Sequence, residues 1–250
     1  MSAAPREATS TDVLIETVRR LVVGARHAAV GANSPIPAAA CFLEERRAGM
    51  LVSLQQSPEH NLFTDGGREL FDAAAQGRID VFFFSGAEID GDGNINLVAI
   101  GDYAHPKARF AGSYGSAFLY FTVPRIILFR TEHSRRTLVE RVSFVSAPGS
   151  SPPGVWRRGG PVALVTPLCL FTFDPVRRRF ALASLHAGHT LEEVQDNTGF
   201  AFESPPAVPQ TPLPDATTLA ELRGPVAATL ARIYPKFAAD NFGIKEKVST

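Results

Sequence analysis

The sequence predicts an α/β fold: an open sheet with helices on both faces, partly antiparallel in its C-terminal half. In the first half, short apolar runs alternate with helical segments, the pattern of a sheet with crossover helices. These runs are apolar at nearly every position, as expected of strands that are buried on both faces. After residue 160, three runs follow closely around Asp174-Pro175, a turn signal between antiparallel strands.

The first half of the chain alternates helices and strands. Apolar residues at helical spacing behind cap candidates at 10–12 predict a helix that ends near Val22. A second helix is predicted where Pro35 and Pro37 restart the chain, and a third over residues 67–77. The apolar runs between these helices are too short for helices and predict the strands HAAVG, MLVSL and IDVFFFSG.

The second half is richer in strands. A short helix is expected over residues 191–199, and five prolines within residues 203–215 require a surface segment. A final helix is predicted over residues 219–233, bent or divided by Pro225. The strands predicted in this half are RIILF, VSFVSAP, VALVT, CLFTFD and RFALASL.

Composition narrows the class of protein. The 250 residues, 45% of them apolar, are enough for a full core, so we expect one domain over residues 11–235 with loose termini at 1–10 and 236–250. Twenty-five basic and 25 acidic residues give no net charge, which argues against a nucleic acid partner.

No apolar run approaches the ~20 residues of a membrane span, and the N-terminal residues lack the apolar stretch of a signal peptide. We therefore expect a cytoplasmic protein with no membrane partner. Cys41 and Cys169 lie far apart in apolar runs, which predicts two buried thiols, no disulfide and no metal site.

The glycine-rich segment from Ser85 to Gly115 is the most unusual part of the sequence. Its acidic residues do not complete a calcium loop, because Gly101 stands where the last carboxylate is required. Gly91 and Gly93 lack the third glycine of a dinucleotide fingerprint. Two interpretations remain, ordinary structural turns and a pocket floor whose backbone N–H groups bind a developing oxyanion. In the second interpretation the donors are Gly112, Ser113 and Gly115.

The segments GAEIDGDGNIN, IGDYAHPKARFAGSYG and VSFVSAPG resemble the small, or β, subunit of class I coenzyme A (CoA) transferases, most closely the glutaconate CoA-transferase type. An earlier VGANSPIPAAA and a later NTGF extend the resemblance from about Val22 to Phe200. The matched positions of the glycine-rich segment are Gly86, Asp90, Gly93, Asn94, Asn96, Gly101, Asp102, Tyr103, Pro106, Lys107, Arg109, Phe110, Gly112 and Ser113.

This resemblance implies an open three-layer α/β/α fold of the CoA-transferase (NagB/RpiA-like) type. It also implies a CoA thioester as substrate, no bound cofactor, and a larger α subunit in a heterodimer or heterotetramer whose interface forms the active site. Lys107 and Arg109 are then candidates to bind a substrate carboxylate or a CoA phosphate, with a structural ion pair as the alternative. The candidate oxyanion and acyl-CoA pocket comprises Gly31, Asn33, Gly86, Asn94, Asn96, Gly112, Ser113 and Gly115.

The chain departs from the family at the nucleophile. In class I transferases a glutamate at the end of an apolar strand attacks the thioester and carries CoA as a glutamyl thioester. Depending on a two-residue gap, that position falls here on Ser53 or Gln55, and neither side chain supplies a carboxylate. Tyr114 also replaces a glycine of the family's G-S-G-G run and is expected to narrow the acyl pocket.

Three functions fit this pattern. The first is CoA transfer, as the family resemblance implies. The second is hydrolysis or C–C cleavage of a CoA ester, as in a ring-opening branch of steroid catabolism in which the α subunit supplies the glutamate. The third is a structural subunit without a catalytic role.

Overall fold

The computed structural model describes residues 7–244. Its helices are α1 Ser10–Val22, α2 Pro35–Ala48, α3 Gly66–Ala75, α4 Ser116–Thr122, α5 Leu191–Asn197, α6 Ala216–Glu221, α7 Ala227–Ile233 and α8 Pro235–Phe242, with a π-helical turn at Leu222–Val226. Its strands are β1 His27–Val30, β2 Leu51–Leu54, β3 Val81–Phe84, β4 Glu88–Ile89, β5 Ile95–Asn96, β6 Ala99–Ile100, β7 Ala108–Arg109, β8 Arg125–Phe129, β9 Pro161–Val165, β10 Cys169–Asp174 and β11 Arg179–Leu185.

The described chain divides into two compact units. One contains residues up to 62 and those from 212 onward, and the other contains residues 63–211. The expected single domain over residues 11–235 therefore stays a prediction.

The first unit contains β1 and β2, which pair in parallel from His27–Leu51 to Val30–Leu54. Thr9 caps α1 because its hydroxyl accepts from the Asp12 N–H while the Asp12 carboxylate accepts from the Thr9 N–H. The cap thus lies one residue before the predicted candidates. Pro225 lies inside the π-helical turn that separates α6 from α7, which confirms that it interrupts the last predicted helix.

The expected loose C-terminus is wrong over residues 236–242, which belong to α8. Pro235 opens this helix, Gly243 closes it in a left-handed conformation, and the Asn241 side chain accepts a hydrogen bond of 2.8 Å from the Thr11 hydroxyl. At the other end, α1 already begins at Ser10. The remaining expectations, for residues 1–6 and 245–250, lie outside the described residues.

The second unit has a mixed sheet in the order β11, β10, β9, β8, β3. Strands β3, β8 and β9 are parallel, whereas β9, β10 and β11 are antiparallel. This arrangement confirms the predicted α/β class and the partly antiparallel C-terminal half. The glycine-rich segment forms two small antiparallel hairpins, β4 with β5 and β6 with β7.

The predicted strand VSFVSAP is wrong, because residues 142–148 form irregular backbone. Side chains of the glycine-rich segment take its N–H groups: Val142 N donates to Asp90 and Ser143 N donates to Glu88. A single bridge between Ile95 and Ala147 replaces a ladder. Within residues 7–244, no helix is long and apolar enough to cross a bilayer.

Candidate active site

In the first unit, the predicted site residues gather where two parallel strands end. Gly31 and Asn33 follow β1, and Gln55 follows β2. The Gln55 N–H donates to the Val30 carbonyl at 3.0 Å, and the Asn33 N–H donates to Oε1 of Gln56 at 2.7 Å. Since ligands of open α/β sheets bind beyond the carboxyl ends of strands, these residues lie where a substrate site is expected.

In the second unit, Asn96 is fully buried and has a structural role. Its side-chain amide donates to the Glu88 carboxylate and to the Ala99 carbonyl, each at 2.7 Å. Its oxygen accepts from the N–H groups of Val98 and Ala99. No polar atom of this side chain remains to bind a ligand.

Asn94 and Asp90 form the turn between β4 and β5. Asp90 accepts from the backbone N–H groups of Asp92 and Asn94 and from the Asn94 amide. Burial raises the pKa of Asp90, and the hydrogen bonds from Asn94 and Val142 oppose the shift. The Asn94 oxygen accepts from Gly149 N, so Asn94 joins two loops.

The stretch from Gly112 to Gly115 retains the features expected of an anion-binding loop. Within the described residues, the backbone N–H groups of these four residues have no hydrogen-bond partner. Gly112 is exposed with φ +111°, and Tyr114 is 75% exposed with φ +48°. A Cβ atom on Gly115 would lie 2.1 Å from the Phe71 ring, so a side chain at this position would force the ring to shift.

Lys107 and Arg109 lie on the hairpin formed by β6 and β7, and both are exposed. The Arg109 guanidinium donates to the Tyr103 carbonyl at 2.8 Å and lies 4.9 Å from the centre of the Tyr103 ring. Over the part of the chain that the structure describes, neither cation has an acidic partner. The structural ion pair is therefore not formed.

Residues 16–197 match the sequence profile of the coenzyme A transferase family. The chain belongs to this family. The CoA-transferase assignment agrees with the sequence resemblance and covers both site regions described above.

Three curated proteins, each named as a subunit, are similar to this chain. It is 35% identical over 161 residues to the B-type subunit of 3-oxoadipate CoA-transferase from Pseudomonas knackmussii, and 34% identical over 150 residues to that of glutaconate CoA-transferase from Acidaminococcus fermentans. It is 30% identical over 137 residues to the cholesterol ring-cleaving hydrolase IpdB subunit of Rhodococcus jostii. These alignments cover 62%, 57% and 53% of this chain, and only 62%, 55% and 53% of the three relatives.

Two solved structures illustrate the fold. The decarboxylase AibA/AibB matches with TM-score 0.74 and 27% identity, covering 87% of this chain and 94% of that one. Glutaconate CoA-transferase of Acidaminococcus fermentans matches with TM-score 0.78 over 92% of this chain and 99% of that one, at 22% identity. The second likeness bears on the fold alone and confirms the CoA-transferase type of α/β fold.

The two candidate positions for the CoA-transferase nucleophile differ in their surroundings. Ser53 is 0% exposed, and its Oγ lies 2.7 Å from Nε2 of the buried His27. Gln55 is half-buried and directly follows the last residue of β2. Sequence reasoning misses His27. The available signal is that His27 and Ser53 are polar residues in two neighbouring apolar strands, where each needs a hydrogen-bond partner.

Arg130 is a second residue that the sequence does not indicate. It follows β8 and donates at 2.8 Å to the carbonyl of Gly86, which lies beyond the end of β3. Burial lowers the pKa of Arg130, and Glu132 lies 3.8 Å away as a partial counter-charge. Arg130 therefore fixes the backbone at the start of the glycine-rich segment.

Metal ligation has no support in the described residues. Within residues 7–244, no group of three His, Cys, Asp or Glu side chains is arranged to hold a metal ion. Cys41 and Cys169 are buried free thiols, as predicted. Burial raises the pKa of Cys169 to about 12, so this thiol is protonated at neutral pH.

Proposed function

We propose that this chain is the β subunit of a CoA-transferase-family heteromer that processes acyl-CoA thioesters and contributes the pocket without the nucleophile. Its substrate is the CoA thioester, and no bound cofactor takes part. CoA transfer is the reaction that the named transferase relatives support, with the attacking carboxylate supplied by the partner.

The observation that carries this proposal is the chemistry at the end of β2. Ser53 has no exposed surface, so it does not reach a thioester. Gln55 has access, but its neutral amide is not a nucleophile for acyl transfer. The chain therefore requires a carboxylate from elsewhere or an activated water.

The unpaired N–H groups from Gly112 to Gly115 support a role in stabilising the thioester oxyanion. Hydrogen-bond donors aimed at a developing oxyanion are worth several kcal/mol when they are preorganised. Lys107 and Arg109 are exposed and have no acidic partner among residues 7–244, which favours binding of a substrate carboxylate or a CoA phosphate.

An α subunit is the partner that we propose, in a heterodimer or heterotetramer. The named relatives are B-type subunits, and the second unit exposes several large apolar side chains of the kind that interfaces bury. These are Tyr103, Phe110, Tyr114, Phe118 and Trp156. We assign the assembly to the cytoplasm.

The second candidate function is hydrolysis or C–C cleavage of a CoA ester, with a glutamate of the α subunit activating water. Its support is the likeness to the cholesterol ring-cleaving hydrolase subunit together with the absent carboxylate at Ser53 and Gln55. Steroid catabolism belongs to this alternative alone. A third candidate, a purely structural subunit, predicts that the α partner works equally well without this chain.

The deciding experiment uses the chain co-purified with its α partner. Acyl-CoA and a carboxylate acceptor are added in ¹⁸O-labelled water, and all products are followed by mass. CoA on the acceptor supports transfer, whereas ¹⁸O in a ring-opened or free acid without acceptor labelling supports hydrolysis. Equal rates for the α partner alone support the structural role.

A further inference from the structure

A cavity lies at the amino ends of parallel strands in the second unit's sheet, and the proposed reaction does not use it. Its volume is about 410 Å³, within the range of small-molecule sites. Pro124 and Pro161 line it at the amino ends of β8 and β9, while Gly86 follows the carboxyl end of the parallel strand β3. The cavity therefore lies one strand length from the start of the glycine-rich segment, and its lining residue Gly149 donates to Asn94 further along that segment.

Three arginines line this cavity, and no acidic residue does. They are Arg157, Arg158 and Arg178, and they share the wall with the hydroxyls of Ser150 and Ser151. Within the described residues, the guanidinium groups of Arg158 and Arg178 have no hydrogen-bond or ion-pair partner. Two arginine residues whose guanidinium groups have no partner within residues 7–244 and two serine residues thus line one concave space.

Arg157 adds a cation that is held in place. Its guanidinium donates to the carbonyls of Pro148 at 2.8 Å and Tyr120 at 3.0 Å, and to Gly159. These contacts use three of its five N–H groups and none is to a carboxylate. Burial lowers the pKa of Arg157, which shows that its charge is partly desolvated. A bound anion would compensate this charge.

Arg178 occupies a backbone conformation that usually favours glycine. Its φ is +57°, and its N–H donates to the Asp174 carbonyl in the turn between β10 and β11. A non-glycine residue in this region carries backbone strain. The strained position holds one of the two unpaired guanidinium groups at the cavity wall.

We propose that this cavity binds a phosphate monoester. Arginine is suited to phosphate because its planar donors pair with two oxygens at once. The apolar wall formed by Val162, Phe173 and Pro175 would contact the organic part of the ligand. Two sources share this chemistry, the 3′-phosphate end of coenzyme A and a free phosphorylated metabolite.

The test is calorimetric titration of the full-length chain, alone and with its α partner, using inorganic phosphate, adenosine 5′-monophosphate and adenosine 3′,5′-bisphosphate. We expect binding that weakens as NaCl is raised. Tighter binding of the 3′,5′-bisphosphate identifies the coenzyme A end as the source, and equal or tighter binding of the other two identifies a free phosphorylated ligand. No binding of any probe at about 10 mM overturns the proposal.

Two variants assign the binding to the cavity. R178G removes a guanidinium while giving the turn its favoured residue, so we expect a melting temperature at or above that of the wild type and at least tenfold weaker binding. R158Q should weaken binding similarly. The matched control is R141Q, because Arg141 is also exposed without a partner among the described residues but does not line the cavity. Equal loss in R141Q, or unchanged binding in R178G, rejects the assignment.

Discussion

Nε2 of His27 and Oγ of Ser53 lie 2.7 Å apart between two parallel strands, and both side chains are buried. A serine beside a histidine invites comparison with an activated nucleophile. The absence of exposed surface at Ser53 argues against that role, because a nucleophile must contact its substrate. The pair instead satisfies two polar groups inside an apolar pair of strands.

Replacing Ser53 by alanine should therefore cost stability and leave catalysis intact. The change removes one hydrogen-bond partner from a buried imidazole, which costs about 1–3 kcal/mol in the free energy of unfolding. Urea denaturation of S53A measures this loss, and the rate of acyl-CoA turnover in the heteromer should stay within about twofold. A loss of turnover by orders of magnitude, with normal stability and assembly, would identify Ser53 as the nucleophile.

Replacing Gln55 by glutamate tests which position corresponds to the family nucleophile. If this position faces the thioester carbon, the new carboxylate attacks it, releases CoA thiolate and forms an acyl anhydride. The thiolate then attacks the glutamyl carbonyl, releases the acyl group as a carboxylate and leaves a glutamyl-CoA thioester. Intact-mass measurement of Q55E after incubation with acyl-CoA should reveal the CoA adduct.

The neighbouring variant Q56E is the control for this experiment. Gln56 is exposed and its oxygen accepts from the Asn33 N–H, a bond that a carboxylate preserves. An adduct on both variants would indicate nonspecific acylation. No adduct on Q55E in the assembled heteromer would count against our alignment of β2.

The stability of the chain should fall in acid because two histidines are buried in their neutral form. Burial lowers the pKa of both His133 and His186 to about 4. In the unfolded chain they ionise near pH 6.5, so the unfolded state binds more protons between about pH 4 and 6.5. The free energy of unfolding should be constant above that window and decrease by about 1–2 kcal/mol per histidine on going to pH 5.

H133Q should remove about half of this pH dependence, since glutamine can still bond the hydroxyls that His133 contacts on Thr166 and Thr198. Urea unfolding at pH 7 and at pH 5 gives, for each variant, the difference in the free energy of unfolding between the two pH values. H105Q is the matched control, because His105 is exposed. An unchanged pH dependence in H133Q would mean that the pKa of His133 is the same in the folded and the unfolded chain.

Much of the fold follows from the sequence because buried strands leave contiguous apolar runs. The error at VSFVSAP has a physical cause: its pattern is strand-like, but carboxylates of Glu88 and Asp90 take the N–H groups that a ladder requires. The helix α8 escapes sequence reasoning because it is only eight residues long, too short for a helical repeat of apolar residues to be evident. The pattern of apolar residues does not reveal hydrogen bonds between side chains and the backbone, and it does not reveal short helices.

The candidate site is less predictable than the fold. A family motif includes Asn94 and Asn96, yet their side-chain amides donate hydrogen bonds to the carboxylates of Asp90 and Glu88 rather than to a ligand in a pocket. His27 escapes sequence reasoning, since only strand register brings it next to Ser53. Sequence spacing identifies the segment that matters, whereas the partner of each polar atom depends on tertiary contacts.

The close approach of Phe71 to Gly115 gives a test of loop packing. A Cβ atom at position 115 would lie 2.1–2.2 Å from the ring, so G115A should cost about 1–3 kcal/mol in the free energy of unfolding. The double variant F71L/G115A should recover part of this loss, measured as a coupling energy between the two changes. G112A is the contrast, because nothing lies within 4 Å of its Cβ and only the positive φ is strained. Equal losses in G112A and G115A, without coupling to Phe71, would contradict the packing account.

Tyr114 connects strain in this loop with substrate choice. It replaces a family glycine, holds φ at +48° and leaves its ring 75% exposed beside Phe71, 5.4 Å away between ring centres. Y114G should relieve about 1 kcal/mol of backbone strain, partly offset by the lost ring contact. If Tyr114 narrows the acyl pocket, the variant should also accept bulkier acyl groups. The ratio of the KM for a branched acyl-CoA to the KM for a short acyl-CoA should then be lower in Y114G than in the wild type. Y114F keeps the ring and should retain the wild-type preference. The same acyl preference in Y114G and the wild type would place Tyr114 outside the pocket.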